Sequence, residues 1–514
     1  MKILKSMSGV AIANLSSRLL GMLRDILFAS VLGGGTLMSS WVYVFLIPNL
    51  FRRILGEGAL GNVLVRLLKE SLEKNNDKEK AAVKFLSLTV FLGGLLGFIS
   101  LLIAGVSLTA SYFVNSHEIK LILQALPIII PYTVFICLTG ITSGALNCLK
   151  KFFLPALTSL FLNIFLIVTL YFLVPELSSA YSILIALSIA VLCAGFLQLS
   201  IMLVMLKKNG LLDLKHLKLI SFSDPFIKEV FKLAWPAVIG AGALQASMFI
   251  DKSLALCLGN YAVPSLYYSD RIVFITIGIF AVSLNTVMMP NMSEFAVNKD
   301  YKGLSNAIAT GLKHMLFICI PATVFTILFR YEIIRLLFMR GAFDIKALNE
   351  TAFALSFYAF GIPFFATVKI LTSGFQSQKK MKLPVRISII CICVNVVLNL
   401  ILMQYFRQGG IALATVIASL LNNSISFYFL NRELKHLKLS PILYSGFKSI
   451  VSALIAGWVA LLIYQHLLNG LSLLVTIIIL FSVFCLSFTL SSALLKSEEL
   501  NDWLKIVLKD NKRT

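Results

Sequence analysis

The chain is 514 residues long, 59% hydrophobic and 13% charged, with a mean hydropathy of +0.92 and a formal net charge of +22. Soluble domains are about 45–50% apolar and about 25% charged, so this composition excludes an ordinary soluble domain and reads as an all-α polytopic membrane protein. The positive charge is spread over many short segments, which excludes a nucleic-acid-binding surface and reads as a topology signal plus attraction to anionic membrane lipids.

Apolar runs long enough to cross a bilayer, about 20 residues each, recur along the whole chain, about fourteen in all. They fall near 7–33, 37–67, 84–114, 121–149, 152–174, 179–206, 229–258, 264–291, 309–330, 350–377, 384–406, 410–431, 445–466 and 471–495. All are read as helices, because the runs are too long for barrel strands and lipid leaves no other way to satisfy the backbone. Lys2 and Lys5 precede the first run as in a signal peptide. Arg18 breaks that run and no small-residue cleavage site follows, so the reading is an uncleaved first span. With the N-terminus placed in the cytoplasm, most Lys and Arg fall in inside segments, while the outside loops hold Lys120, Arg330, Arg335, Arg340, Lys346 and Arg407. Both termini are therefore expected inside.

Span 1 carries "SSRLLGMLRDI" (16–26), with Arg18, Arg24 and Asp25 where a span should be apolar. Seven positions make nearly two helical turns, so Arg18 and Asp25 share a face about 10 Å apart. Span 2 carries "PNLFRRILGEGALG" (48–61), where Pro48 and the glycines permit a kink beside Asn49, Arg52, Arg53 and Glu57. Its "GEGALGN" has glycines spaced as in a phosphate loop but lacks the Lys-Ser/Thr ending. Span 7 holds Asp251, span 8 holds Asp270 and Arg271 in "YYSDRI", and span 10 holds Lys369. Span 11 sets Asn395 and Asn399 at i, i+4 on one face, and span 12 holds Thr415. Segments 213–235, 332–345 and 497–510 read as interfacial amphipathic helices.

Internal similarity divides the chain. "RDILFASVLGGGTLMSSWV" (24–42) aligns at constant offset with "IDKSLALCLGNYAVPSLYY" (250–268), and "TSGALNCLKKFFLP" (142–155) aligns with "TSGFQSQKKMKLP" (372–384) with one residue fewer before the proline. The domain reading is an N-lobe at 1–208, an amphipathic linker at 209–228, a C-lobe at 229–431, and an added pair of spans with an amphipathic tail at 432–514. The expected fold is two pseudo-symmetric six-helix lobes plus two C-terminal helices.

The intramembrane charges are mainly cationic. Paired charges that fix helix packing are one reading of any single pair, Arg24 with Asp25 included. As a set, buried ionisable groups in membranes line a water-filled path. A cationic path suits an anionic substrate, and arginine suits phosphate through bidentate hydrogen bonds. Asp251, Asn395, Asn399 and Thr415 fit either a monovalent-cation site or interhelical hydrogen bonding, and spacing alone favours the latter. The eight cysteines and five histidines are scattered, with no metal or disulfide spacing. No Mg²⁺-type acidic pair and no Ser–His or Cys–His nucleophile pair is evident, so an integral enzyme fits poorly. No resident cofactor is called for.

"NLSSRLLGMLRDILFASVLGGG", "IPNLFRRILGEGALGNVLVRLLKE" and "LYYSDRIVFITIGIFAVSLNTVMMPNMSE" resemble the MurJ/MviN family, lipid II flippases of the multidrug/oligosaccharidyl-lipid/polysaccharide exporter superfamily. The resemblance covers nearly the whole chain. It implies a two-lobed, fourteen-helix transporter of the bacterial inner membrane, which moves undecaprenyl-pyrophosphate-linked disaccharide-pentapeptide outward by alternating access. It also implies that Arg18, Arg24, Arg52 and Arg271, with Arg53 beside them, hold the pyrophosphate; the reading of the spans themselves adds Asp25, Asn49, Glu57 and Lys369 as candidate substrate-binding residues. The last two spans would take the lipid tail, and cell-wall synthesis proteins are the expected partners. A sodium site would fall on Asp251, Asn395, Asn399, the Ile411 carbonyl and Thr415. Three positions depart from the pattern: Asn399 and Ser39 replace acids, and Phe274 stands where some members have an acid. The alternatives are a flippase for another polyprenyl-linked glycan, a drug or cation exporter, a channel, or a non-transporting scaffold of wall assembly. An exporter of cations should have an acidic cavity, and a scaffold has no need of buried arginines.

Overall fold

The computed structural model describes residues 2–56, 78–212, 225–467 and 470–510. Among these residues every regular element is helical. The chain forms two units, Met1–Lys252 with Arg340–Asp344, and Ser253–Met339 with Ile345–Thr514.

The first unit begins with α1 (Lys2–Leu32) and α2 (Thr36–Phe51). A π-helical turn, Arg52–Gly56, continues α2 four residues beyond Pro48. That turn seats against a later helix through two glycines: a Cβ on Gly140 would lie 2.7 Å from the Gly56 carbonyl carbon. Next come α3 (Lys78–Phe113), α4 (His117–Ile129) and α5 (Tyr132–Cys148). The span expected at 121–149 is thus broken, bent by 50° between α4 and α5. Pro131 supplies the break, because it is the N-cap of α5 and lacks an N–H to continue α4. Helices α6 (Phe153–Val168), α7 (Ala180–Lys208) and α8 (Pro225–Cys257) follow, the last running across the boundary between units. Phe85, Leu88 and Leu92 of α3 meet Ile141 and Leu146 of α5, Met202 and Leu206 of α7, and Val230 of α8 in one apolar core.

The second unit holds α9 (Ala262–Val297), α10 (Tyr301–Leu328), α11 (Arg330–Phe338), α12 (Ile345–Ala359) and α13 (Ile362–Ser377). The span expected at 350–377 is bent by 42° between α12 and α13, at Gly361 and Pro363. Helix α14 (Lys382–Leu434) contains the eleventh and twelfth spans without a loop. Its single non-helical residue is Arg407, at φ 48°, ψ −131°. Glu350 of α12 pins this bend by accepting from Arg407 at 3.4 Å and from the Gln408 amide.

Helices α15 (Leu439–Leu467), α16 (Leu473–Leu494) and α17 (Glu498–Asp510) end the described chain. Ala453, Ala456 and Ala460 form a small-residue stripe on α15 that lets Phe317 and Ile320 of α10 and Phe484 and Phe488 of α16 close in. The tail segment expected to be amphipathic is α17. The 332–345 segment is helical only as far as Phe338, within α11. Of the 213–235 segment, residues 213–224 lie outside the described ones.

Among the described residues, seven helices are long and apolar enough to cross a bilayer, or up to ten when each bent pair counts as one span. The count of about fourteen is consistent with this. Helix α14 holds two spans, while α1 and α8 carry intramembrane charges and α2 runs on into residues outside the described ones.

Candidate functional site

Arg24 is anchored on two sides by side chains of the first unit. Its Nε and Nη2 donate to Asp25 Oδ1 at 3.1 and 2.8 Å. Its Nη1 donates to Asn163 Oδ1 of α6 at 2.9 Å. Asn163 is itself fixed, since its amide nitrogen donates to the Ser17 carbonyl at 3.2 Å. The guanidinium carbon lies 5.6 Å from the Phe28 ring centroid. Side-chain exposure is 12% for Arg24 and 8% for Asp25, so the pair is largely out of solvent. The pairing reading of Arg24 with Asp25 therefore holds, and it leaves Arg24 oriented by neighbours on two sides. Arg18, on the same helix, is exposed.

Arg52 sits on the π turn, where its Nε and Nη2 both donate to Asn49 Oδ1, at 3.0 and 2.8 Å. A π turn redirects side chains relative to the helix before it. Arg53, next along the turn, donates from Nη1 to Met248 Sδ of α8 at 3.1 Å. Tyr43 and Phe249 pack edge to face at 5.9 Å between the same two helices. Glu57 lies outside the described residues. Asn49, Arg52 and Arg53 are all half-buried.

In the second unit Arg271 of α9 lies over its own helix neighbour Tyr267, 4.7 Å from the ring centroid, and donates to the Tyr267 hydroxyl at 3.2 Å. One turn on, Phe274 stacks on Phe365 of α13 at 6.2 Å and 9°. Phe274, which stands where some members of the resembled family have an acid, thus has an aromatic partner. Lys369 of α13 is half-buried. On α14, Asn399 donates to Asn395 Oδ1 at 3.2 Å, Asn395 to Thr415 Oγ1 at 3.4 Å, and Thr415 to the Ile411 carbonyl at 3.0 Å. Of these bonds, Asn395–Thr415 crosses the Arg407 bend and the other two are local i, i+4 bonds. Asp251 lies on α8 in the first unit. Among the described residues no group of three or more His, Cys, Asp or Glu is placed to hold a metal ion.

Sequence reasoning missed Asn163 and Tyr267. Asn163 is 5% exposed and is the one amide in the otherwise apolar run "LFLNIFLIV" (160–168). That isolation in a span was its only signal.

A family model described as lipid II flippase MurJ matches residues 28–486. The probable lipid II flippase MurJ of Buchnera aphidicola subsp. Baizongia pistaciae is 32% identical over 448 residues, covering 84% of each chain. That of Buchnera aphidicola subsp. Acyrthosiphon pisum is 30% identical over 488 residues, covering 92% of this chain and 91% of its own. A solved structure of lipid II flippase MurJ in an inward closed conformation superposes with TM-score 0.72 at 24% identity, covering 95% of this chain and 99% of that one. An inward-facing multidrug resistance MATE transporter of the MOP superfamily superposes with TM-score 0.66 at 15% identity, over 83% of this chain and 98% of that one. These two likenesses are of fold.

Proposed function

The chain belongs to the lipid II flippase MurJ family, a family of transporters and not of enzymes, and on that premise we propose that it carries lipid II from the cytoplasmic to the periplasmic leaflet of the bacterial inner membrane. The observation that carries the chemistry is Arg24, held by Asp25 on one side and Asn163 on the other. A guanidinium held in this way is pre-oriented and loses little side-chain entropy when an anion arrives. A pyrophosphate offers several acceptor oxygens, which match the planar fork of arginine better than a point charge does. Arg52, steadied by Asn49, and Arg53 beside it add two cations in the same unit. Arg18, Arg271, Lys369 and Glu57 are further residues to which we assign substrate binding.

Transport follows from alternating access of the two units, with the arginines engaging the headgroup diphosphate and the apolar α15 and α16 facing the polyprenyl tail. Wall-synthesis enzymes would supply the substrate inside and consume it outside. For sodium, the oxygens of Asn395, Asn399, Ile411 and Thr415 are buried or half-buried neutral donors of the right hardness. Asp251 completes the resembled set with its one carboxylate. A bound sodium ion would supply a countercharge to that carboxylate.

Arg24→Ala and Arg271→Ala are expected to abolish support of wall synthesis in cells depleted of their own flippase, with membrane insertion unchanged. Arg24→Lys should retain only part of the activity, because it keeps the charge and loses the two-sided fork. Growth of both alanine variants at the native rate would contradict the pyrophosphate role.

A further inference from the structure

The first unit contains a carboxyl group that the transport reading does not use. Glu118 lies in the first turn of α4. First-turn acids ordinarily point to solvent, where the helix terminus favours their charge. Here the flanking His117 and Lys120 are exposed, while Glu118 turns inward and is 8% exposed. It enters the packing seam of α4, which lies against α2, α3 and α7. Ser39 of α2 faces its carboxyl, and Ser39 and the adjacent Ser40 are both fully buried. Glu118 Oε1, Ser39 Oγ and Ser40 Oγ each lack a hydrogen-bond partner among the described residues.

The charges around this seam decide its occupant. Helix α2 carries no ionisable group except Tyr43, one turn beyond Ser39. The end of α3 offers Ser107, Ser111 and Tyr112, and its lysines lie at the opposite end. The start of α7 offers Tyr181 and Ser182, with Lys207 and Lys208 at its far end. On α4 itself His117 and Lys120 point away. An ionised carboxylate out of water needs several donors or a cation, and this seam provides at most serine hydroxyls. A neutral carboxyl needs only one acceptor for its O–H, and the buried Ser39 hydroxyl facing it would serve as that acceptor once the acid is protonated.

We propose that Glu118 is a proton-binding site of the first unit, and that its proton holds the α2–α4 seam closed. Loss of the proton leaves an anion that the closed seam does not solvate, so α2 must loosen to admit water. Helix α2 leads at its other end into Asn49, Arg52 and Arg53, which links proton occupancy to the positions of those side chains. Both α2 and α4 begin on the face that the Lys and Arg bias places outside, so the proton would come from that side. The inference rests on the geometry of the seam and not on the identity of the substrate.

Trp41 reports on the seam. It lies two residues beyond Ser39, is 2% exposed, and its ring centroid is 5.7 Å from those of Phe28 and Phe45. In full-length purified protein with Trp235, Trp458 and Trp503 replaced by Phe, Trp41 emission is expected to change in one step as pH rises. Glu118→Gln should hold the low-pH signal throughout. A step that persists unchanged in Glu118→Gln, or the absence of any step in the parent, would overturn the proposal. So would a step that follows sodium chloride against choline chloride at fixed pH, which would make this a metal-cation site. If Glu118→Gln fails to insert, Ser39→Ala decides: removing the acceptor should shift the infrared carbonyl band of the protonated acid, and an unshifted band would overturn the assignment.

Discussion

At the scale of single residues, Asn163 is the sharpest lever on the candidate site. Asn163→Leu removes one side of the Arg24 clamp while Asp25 keeps the other. A hydrogen bond to a charged group contributes about 1.5–3 kcal/mol, so diphosphate binding should weaken roughly tenfold or more. Calorimetry with an undecaprenyl-diphosphate headgroup analogue measures this, and an unchanged affinity would mean that Arg24 is oriented by Asp25 alone. Gly341 tests packing instead of binding. It has φ +57°, a Cβ on it would lie 2.2 Å from the Ser30 carbonyl oxygen, and the next residue, Ala342, donates its N–H to that same oxygen at 2.7 Å. Gly341→Ala should destabilise the first unit by about 1–3 kcal/mol, read as a lower thermal midpoint in detergent. The arginines were legible from sequence because a cation in an apolar span stands out against its surroundings. Asn163, Tyr267 and the glycine at 341 were not, because their importance depends on which helix lies opposite, and periodicity carries no such information.

At the scale of elements, the apolar runs were legible and their breaks were not. Length and hydropathy locate 121–149 and 350–377 as spans, yet each bends by more than 40° at a proline-bearing junction. The Arg407 bend has no proline at all: Glu350, far along the chain, holds it. The tail helix α17 was legible from its amphipathic pattern, but its docking was not. Lys313 of α10 donates to Glu498 at 2.8 Å, and Ser445 of α15 donates to Glu499 at 2.6 Å. The Lys313 ammonium holds the Glu498 carboxyl below the usual carboxylate range, through its hydrogen bond first and its charge second. A depressed carboxylate contributes its stabilisation above its unfolded value and loses it as pH falls through the folded one. Acidification into that range should therefore release the start of α17, seen as increased mobility of a spin label at Asn501. Lys313→Ala should mobilise the same label at neutral pH. A label equally immobile in both conditions would show that Glu499 and Leu500 suffice to dock the tail. Because Glu498 is mostly exposed, the effect belongs to the tail and not to global stability.

At the scale of the whole molecule, the chain divides into two compact units, and α15 and α16 pack on α10 of the second. Where the last two spans dock was not legible, because an all-round apolar helix presents no preferred face until a partner stripe such as Ala453, Ala456 and Ala460 is matched to it. The resemblance to the family was legible from motifs that set arginines and glycines in apolar spans. The central claim is transport of lipid II, and the measurement that bears on it most directly is the leaflet distribution of lipid II after depletion of this protein in its host. The account predicts that lipid II accumulates on the cytoplasmic face, that wall synthesis stops, and that the native chain but not Arg24→Ala restores both. An unchanged distribution with continued wall synthesis would contradict it.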